Sequence, residues 1–393
     1  MKILVLTTTF PRWKDDTTPA FVYELSKRLG EKGFEIVVLA PHHNGAKKFE
    51  FMDRMKVYRF PYFYPKKYQK LTYEGGILSN LKRNHLAKLQ VPLLFLSELF
   101  YAIKIIKKER INFIHSHWII PSGLVGAVCK RIFKKPFIIS VHGSDLILPN
   151  KFLKNFAKFA LNSCDVCVVN STATKDTVLG ITNVREVEIV PMGADLSMFN
   201  PNVKSDIKKD YKINGPIILT VGRLSKEKGI EYTIKAMPII LKKIPEIKLI
   251  IVGAGPEENN LKKLSKKLNL TGNVVFTGGI PNKNLSRFYK SADVFVLPSL
   301  REGMGLVLLE AMACGTPVIG SNTGGITDII KHGESGFLVK PKVPEDIAEK
   351  IIVLLSNKEL QQKFSEEGLK IVRERFSWNV IVKKFVKILR GTK

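Results

Sequence analysis

Short apolar runs alternate with longer segments of helical spacing along the whole chain. The runs are unbroken, which is typical of strands buried on both faces of a parallel sheet. The pattern stops at the polar segment 200–215 and then begins again, so it predicts two such sheets. Predicted strands are 2–8, 35–40, 56–60, 111–115, 136–141, 165–169, 216–222, 247–253, 274–277 and 294–297. Predicted helices are 20–32, 76–109, 122–134, 151–162, 230–243, 257–268, 284–290, 306–313 and 378–390.

The length of 393 residues favours two domains, because a single hydrophobic core rarely grows beyond about 250–300 residues. We expect an N-terminal domain over 1–200, a second domain over 201–375 and a terminal helix over 376–393. Both domains are expected to be doubly wound α/β units. Ligands of such sheets bind at the carboxyl ends of the strands, so the motifs that follow the strands should meet in a cleft.

The composition, 45% hydrophobic and 25% charged, is that of a soluble globular protein. The window 111–129 lacks Asp, Glu, Lys and Arg, but its Asn, His, Pro and Gly residues predict a strand, a loop and a helix, and no membrane-spanning segment. Cys164 and Cys167 form a C-x-x-C within a predicted buried strand, which favours a packing role. No secretory signal is evident, so we expect a cytoplasmic protein.

The formal net charge of +28 favours phosphate-bearing partners. Segment 54–110 is the most basic part, with 13 Lys/Arg against 3 Asp/Glu, a difference of +10. It predicts contact with an anionic membrane surface; the alternative is a solvated helical hairpin whose aromatic residues belong to the core. Nine of these basic residues are interleaved with aromatic residues: Arg54, Lys56, Arg59, Lys66, Lys67, Lys70, Lys82, Arg83 and Lys88, with Phe60, Tyr62, Phe63, Tyr64, Tyr68 and Tyr73.

Two carboxylates, Glu302 and Glu310, lie eight residues apart around the start of the predicted helix 306–313. Gly303 and Gly305 allow a close backbone approach to a ligand. A helix N-terminus attracts phosphate through its unpaired N–H groups, whereas carboxylates accept hydrogen bonds from sugar hydroxyls. A nucleotide sugar meets both requirements. The alternative is an ordinary strand, loop and helix with solvated acids. The N–H groups expected to face the ligand are those of Gly305, Leu306 and Val307.

This segment resembles the E-x7-E signature of the retaining glycosyltransferases of family 4, which have two Rossmann-like domains facing a cleft (GT-B). The resemblance extends over nearly the whole chain and is specific because several motifs occur together. They are 2–11, His142-Gly-Ser-Asp145, 190–195 with Phe199, 221–229, 252–256 and Gly324-Gly325. In that family the C-terminal helix crosses back to pack on the first domain.

The resemblance implies roles for the second domain. Arg223 and Lys228 follow a strand end and would stabilise the departing diphosphate, a task that suits a bidentate guanidinium and an ammonium. Glu310 would hold the ribose hydroxyls and Glu302 the donor sugar. Met304 replaces the usual Phe, and we expect it to fill the same space. Further expected donor contacts are Gly253, which is alternatively only a strand exit, Gly278 and Ile280, in the segment 278–281 expected beside the base.

On the acceptor side, the resemblance places His142 near the transferred sugar; a buried, satisfied imidazole is the alternative. His117 and Asp145 are further candidates; for His115 and His117, which lie with Trp118 at a neighbouring strand end, packing is the alternative. The glycine pair common after the first strand of the family is missing here, so phosphate contact at this loop is in doubt. Thr17, Thr18 and Arg12 are possible substitutes.

We therefore expect a retaining hexosyltransferase that uses a UDP- or GDP-sugar, with mannose slightly favoured, and a lipid-linked or glycan acceptor. A nucleotide-sugar epimerase of similar fold and a non-enzymatic polyanion or nucleic-acid binder are the alternatives. The spacing of Arg223, Lys228, Glu302 and Glu310 argues against nucleic acid, because nonspecific phosphate binding needs no such arrangement. No D-x-D triplet or metal-ligand spacing occurs, so neither a metal nor another cofactor is expected.

Overall fold

The computed structural model describes residues 1–13, 16, 20–73, 76–83, 85–146 and 150–392. The chain forms two compact units. The N-terminal unit comprises Met1–Asn170, Thr174–Val190 and Val382–Lys393; the C-terminal unit comprises Ser171–Ala173 and Pro191–Ile381. The chain thus leaves the first unit after Val190, about ten residues before the end at 200 expected from the sequence.

The N-terminal unit contains an eight-stranded sheet with the order β3-β4-β2-β1-β5-β6-β7-β8. Its strands are parallel except for the pair β3 and β4. The strands are β1 Lys2–Leu6, β2 Glu35–Pro41, β3 Phe49–Met52, β4 Met55–Phe60, β5 Phe113–His117, β6 Phe137–Val141, β7 Val166–Val169 and β8 Val187–Ile189. The helices are α1 Phe21–Glu31, α2 Ile77–Arg83, α3 His85–Glu109, α4 Leu124–Phe133, α5 Lys151–Ser163 and α6 Thr172–Ile181.

The C-terminal unit contains a six-stranded parallel sheet with the order β11-β10-β9-β12-β13-β14. The strands are β9 Ile217–Val221, β10 Lys248–Val252, β11 Val274–Gly278, β12 Val294–Leu297, β13 Val318–Ser321 and β14 Gly336–Val339. The helices are α7 Ile207–Asp210, α8 Ile230–Leu241, α9 Glu258–Lys267, α10 Asn282–Ser291, α11 Leu306–Ala313, α12 Ile326–Ile329, α13 Pro344–Leu355, α14 Lys358–Ile371 and α15 Trp378–Gly391.

Strand β9 shows why the apolar runs are unbroken. Ile217 and Leu219 point into one hydrophobic cluster, whereas Ile218 between them points into a second cluster on the opposite face of the sheet. Both faces are therefore covered by helices, which is the doubly wound arrangement that the sequence predicted.

The last helix, α15, belongs to both units. From Val382 onward its residues are part of the N-terminal unit. Phe385 and Leu389 are buried there, and the Phe385 ring lies 4.9 Å from the His115 ring. The amphipathic spacing of this helix supplies the apolar face that packs against the first unit.

The sequence prediction missed helix α6 and strand β8 in the N-terminal unit, and strands β13 and β14 and helices α7, α12, α13 and α14 in the C-terminal unit. Two further differences in the N-terminal unit have an identifiable cause. The antiparallel pair β3–β4 was missed because its turn uses Asp53 and Arg54, both with positive φ, instead of glycine. The expectation of a solvent-facing aromatic and basic segment is wrong for four residues that are buried in the core. They are Phe60, Tyr62, Tyr73 and Arg59.

Helix α3 is, among the described residues, the one helix long and apolar enough to cross a membrane when judged by length and composition alone. The sequence analysis predicted no such segment. One side of α3 packs on β2, β4 and α4, and it buries Gln90 and Glu98. These contacts are those of a helix that covers a sheet.

Candidate active site

Three loops at the carboxyl edge of the C-terminal sheet are joined through their backbones. Gly222 after β9 donates to the Val252 carbonyl at 3.0 Å, and Gly253 after β10 donates to the Gly278 carbonyl at 2.8 Å. A Cβ on Gly253 would lie 1.9 Å from the Gly222 oxygen, and its φ is +143°. The packing of two strand exits against each other therefore accounts for a glycine at position 253 without any ligand. This agrees with the alternative that Gly253 is only a strand exit.

A second pair of loops brings Glu302 to the same edge. A Cβ on Gly324 would lie 2.0 Å from the Glu302 carbonyl oxygen, and Gly325 donates its N–H to that oxygen at 3.1 Å. Gly305, with φ +92°, is the residue from which α11 starts. Leu308 donates back to the Gly305 carbonyl, so the N–H groups of Leu306 and Val307 belong to the first turn, which has no intrahelical acceptors.

Lys228 and Glu302, 74 residues apart in sequence, form an ion pair at this edge. Lys228 Nζ lies 2.6 Å from Glu302 Oε2, and Ser299 Oγ donates to the same oxygen at 3.0 Å. Lys228 ends a short 3-10 turn followed by Gly229, where a Cβ would lie 2.2 Å from the Pro298 carbonyl oxygen. This close approach places the ammonium beside the carboxylate. Arg223 lies in the loop after β9 and is exposed.

Glu310 lies in the second turn of α11. Tyr289 from α10 donates its hydroxyl to Glu310 Oε2 at 2.7 Å. Burial raises the pKa of Glu310 to about 7, while the hydrogen bond from Tyr289 opposes the shift. The carboxyl therefore titrates near neutral pH. Tyr289 was missed in the sequence, because a tyrosine on an amphipathic helix carries no signal that distinguishes a site partner from a core residue.

Met304 and Ile280 contribute apolar surface. Met304 is buried, and its Sδ lies 3.1 Å from the backbone N of Met192. Ile280 packs on the same hydrophobic cluster as Met304. The nearby Gly193 meets Trp378, whose ring would lie 2.5 Å from an added Cβ. The segment 190–195 thus has a packing role, and Met304 fills a buried space beside it.

In the N-terminal unit, two histidines lie at adjacent strand ends. His117 Nδ1 lies 3.0 Å from His142 Nε2. Burial lowers the pKa of His142 to about 3 and, together with neighbouring His115 and His142, holds the pKa of His117 well below its usual range. Both imidazoles are therefore neutral at pH 7. Among the described residues, His117 Nε2 and His142 Nδ1 have no hydrogen-bond partner.

Asp145 fixes the backbone around this pair. Its carboxylate accepts the N–H of Ile119 and the N–H of His142, both at 3.1 Å. Burial raises the pKa of Asp145 to about 6, and these backbone donors oppose the shift. Asp145 thus positions His142 through its backbone. Thr17 and Thr18 lie outside the described residues. Arg12 is bonded to Asp16 through its backbone N–H and its guanidinium.

Family models match both halves of the chain. The model described as Glycosyltransferase Family 4 matches residues 19–198, and that described as Glycosyl transferases group 1 matches residues 203–371. An uncharacterized glycosyltransferase of Methanocaldococcus jannaschii is 34% identical over 299 residues, which cover 72% of this chain and 76% of the relative. The chain belongs to glycosyltransferase family 4.

Relatives of this glycosyltransferase carry different names. An N-acetyl-alpha-D-glucosaminyl L-malate synthase of Bacillus anthracis is 26% identical, covering 92% of this chain and 90% of the relative. A GDP-mannose-dependent alpha-(1-6)-phosphatidylinositol monomannoside mannosyltransferase of Mycobacterium tuberculosis is 30% identical, covering 52% of this chain and 56% of the relative.

Among solved structures, a sucrose-phosphate synthase from Thermosynechococcus elongatus superposes on the glycosyltransferase with a TM-score of 0.81 at 23% identity. The match covers 99% of this chain and 98% of that one. This likeness confirms the fold of two Rossmann-like domains expected from the sequence. The family models and the Methanocaldococcus relative confirm the enzyme class.

Proposed function

We propose that the enzyme is a retaining hexosyltransferase that moves a sugar from a UDP- or GDP-sugar to a lipid-linked or glycan acceptor. The observation that carries this proposal is the Lys228–Glu302 ion pair, held at the edge where α11 begins and where Arg223 follows β9. A fixed cation, a sugar-binding carboxylate and a helix N-terminus form one cluster there.

The first requirement of the reaction is to stabilise the departing diphosphate. As the bond between the anomeric carbon and the phosphate oxygen breaks, the bonding electrons remain on the diphosphate. Arg223 and Lys228 supply positive charge for it, and the N–H groups of Leu306 and Val307 supply donors. Lys228 is paired with Glu302, so it either serves both groups or turns from the carboxylate to the phosphate when the donor binds.

Glu302 and Glu310 divide the recognition of the donor. Glu302, which is paired with Lys228, accepts hydrogen bonds from the sugar ring. Glu310, held by Tyr289, accepts the ribose hydroxyls. Gly303, Gly305 and the strand exit at Gly278 let the donor approach the backbone, and Ile280 lies beside the base.

The neutral His117–His142 pair acts on the acceptor side. One imidazole donates to the other, so the pair as a whole has one free N–H and one free lone pair. Such a pair suits a hydroxyl group: the free lone pair of the imidazoles accepts the hydroxyl proton, and their free N–H donates to the hydroxyl oxygen. The acceptor oxygen attacks the anomeric carbon on the face that the phosphate leaves, and its proton passes to the leaving phosphate oxygen. This route keeps the anomeric configuration without an enzyme nucleophile.

The proposal includes neither a metal nor another cofactor, because the sequence contains no D-x-D triplet and the basic residues supply the charge. We place the enzyme in the cytoplasm, where nucleotide sugars would be its donors. GDP-mannose is the first donor to test, since the mannosyltransferase relative is named for it and for a lipid acceptor. The malate synthase relative is a reason to include N-acetylglucosamine donors and small acceptors.

A ligand panel tests the proposal. Thermal unfolding is measured with UDP- and GDP-linked sugars, since a ligand at a hundred times its dissociation constant adds about 2.7 kcal/mol of stability. The donor that stabilises the enzyme is then incubated with candidate acceptors, and NMR identifies the anomer of the product. Stabilisation by no nucleotide sugar would contradict the donor site, and an inverted product would contradict the retaining mechanism. Conversion of the donor without an acceptor would favour an epimerase.

A further inference from the structure

Helix α3 carries a row of exposed apolar side chains. Leu89, Leu93, Leu96 and Phe100 are 68%, 42%, 58% and 63% exposed. Their spacings of four, three and four residues put them on one face of the helix. We call these four side chains the α3 stripe. Soluble domains rarely expose large apolar side chains in so continuous a row, so the stripe indicates a surface that meets a partner.

Among the described residues of α3 itself, the exposed charged side chains are all lysines. Lys104 and Lys107 continue the same helical row, and Lys88 precedes Leu89; all three lysines are exposed. The acidic residues of α3 point the other way, because Glu98 and Glu109 are buried. Burial raises the pKa of Glu98 to about 8, and Glu109 lies 2.7 Å from Lys56 Nζ. The exposed side of the helix thus combines apolar residues with a basic end.

A basic and aromatic turn is fixed beside the stripe. Gln90 of α3 donates to the Tyr68 carbonyl at 2.7 Å and accepts the Lys70 N–H at 3.1 Å. Tyr68 is exposed, and Lys67 Nζ lies 5.2 Å from the centre of its ring. Tyr64 at the start of this turn is also exposed. The turn therefore adds amphipathic rings and further positive charge next to the first residues of the stripe.

We propose that the α3 stripe and its lysines dock the enzyme on the surface of an anionic lipid bilayer, with α3 lying in the plane of the interface. Lipid supplies acyl chains for the four apolar side chains and phosphate for the lysines, and Tyr and Lys suit the headgroup layer between them. The inference does not depend on which sugar or base the enzyme uses.

Other occupants fit less well. A spanning orientation would expose to lipid the face that packs on β2 and β4 and that holds Gln90 and Glu98. A second copy joined through the same face in a two-fold dimer would bring the lysines of two α3 helices into one interface, where the α3 carboxylates Glu98 and Glu109 are buried and cannot meet them. Nucleic acid would use the lysines but has no need of the four apolar side chains.

Vesicle co-sedimentation tests the proposal with two compositions, equal parts phosphatidylglycerol and phosphatidylcholine, and phosphatidylcholine alone. We expect the wild type to bind the anionic vesicles, to bind the neutral ones at least tenfold more weakly, and to lose binding at high salt because screening shortens the reach of the lysines. Absence of sedimentation with anionic vesicles would overturn the proposal.

Two double variants separate the contributions. Leu96→Gln with Phe100→Gln removes the centre of the stripe, and Lys104→Glu with Lys107→Glu reverses its charge; each is expected to weaken binding at least tenfold. All four positions are exposed, and glutamine and glutamate favour helices, so folding should be kept. Donor-induced thermal stabilisation should match the wild type, which separates a docking defect from a failed donor site.

Matched controls remove similar groups elsewhere. Phe152→Gln with Leu179→Gln changes two exposed apolar residues of the same unit, and Lys263→Glu with Lys266→Glu changes two exposed lysines of α9. Both controls should sediment like the wild type. Equal losses in a control and in the corresponding stripe variant would contradict a specific docking face.

A fluorescence experiment locates the contact. Phe100→Trp should show a blue-shifted emission with anionic vesicles relative to the wild type, whereas Phe152→Trp should show none.

Sedimentation velocity without lipid completes the test. If the wild type is a dimer and Leu96→Gln with Phe100→Gln is a monomer, the stripe is an interface between copies and the membrane proposal is wrong.

Discussion

The carboxyl edges of the two sheets carry side chains of different character on the same fold. The C-terminal edge holds the charged pair Lys228–Glu302 among closely packed glycine loops. The N-terminal edge holds the imidazoles of His117 and His142, which burial keeps neutral. A diphosphate that gains charge calls for fixed cations, whereas a hydroxyl acceptor calls for neutral donors and acceptors. The contrast follows from which side chains stand at the strand ends and not from the sheets.

The largest effect is expected from the cations of the C-terminal edge. Arg223→Ala or Lys228→Ala should lower turnover at least a hundredfold, about 2.7 kcal/mol or more, because each removes positive charge from the departing diphosphate. Lys226→Ala, in the same 3-10 turn, is the matched control and should stay within a few-fold of the wild type. Steady-state kinetics on folded variants measure this. Near-normal turnover in the folded Arg223/Lys228 double variant would contradict the assignment.

The neutral imidazoles predict a loss of stability in acid. Burial lowers the pKa of His115 to about 3, whereas an unfolded histidine titrates near 6.5. Below pH 6.5 the unfolded chain therefore binds a proton that the folded chain does not bind. The free energy of unfolding then falls by about 1.4 kcal/mol per pH unit for each such group. Between pH 7 and pH 5, His115→Gln should lose about 2 kcal/mol less than the wild type, as measured by urea unfolding.

Identical acid losses in His115→Gln and the wild type would show that the buried imidazole does not carry the effect.

The two carboxylates of the C-terminal edge should separate in binding experiments. Glu310→Gln should weaken the bare nucleoside diphosphate about tenfold, about 1.4 kcal/mol, because it removes the charged acceptor for the ribose. Glu302→Gln should leave the bare diphosphate at least as tightly bound, since it frees Lys228, yet it should weaken the intact nucleotide sugar. Calorimetry with both ligands measures the contrast. Equal weakening of the bare diphosphate by both variants would contradict the division of roles.

Much of the fold could be predicted from the sequence. Unbroken apolar runs predict the buried parallel strands. The placement of Glu302 and Glu310 around the start of a helix could also be predicted, because both residues lie in one short segment of the chain. The contact between Lys228 and Glu302 could not be predicted, because it depends on how closely Gly229 approaches Pro298. Tyr289 was missed for a similar reason: only the packing of α10 on α11 brings it to Glu310.

In the basic segment 54–110 the error lies in which side chains are exposed, and not in a missed contact. The helical spacing of 76–109 is confirmed in α2 and α3, but composition does not tell which aromatic side chains point inward. Tyr62 is buried, and its hydroxyl accepts the N–H groups of Leu71 and Thr72. The exposed apolar surface instead comes from leucines of α3, which would ordinarily be assigned to a core.

The smallest expected effect is the pH dependence of nucleoside diphosphate binding, which distinguishes Glu310 of the C-terminal edge from the histidines of the N-terminal edge. Burial raises the pKa of Glu310 to about 7, so its ionised, better-accepting form grows as the pH rises through 7, whereas the imidazoles of the N-terminal edge have long been neutral at that point. Affinity for the nucleoside diphosphate should therefore rise about fivefold between pH 6 and pH 8, because the ionised fraction rises from about one tenth to about nine tenths and the uncharged side chain is expected to bind about tenfold more weakly, as in Glu310→Gln. Glu310→Gln should abolish this rise, and His142→Gln should keep it. Calorimetry at the two pH values measures both, with the phosphate titration of the ligand cancelled by comparison between variants. A rise that persists in Glu310→Gln would assign the titration to the ligand or to another group, and a rise lost in His142→Gln would mean that the two edges do not titrate independently.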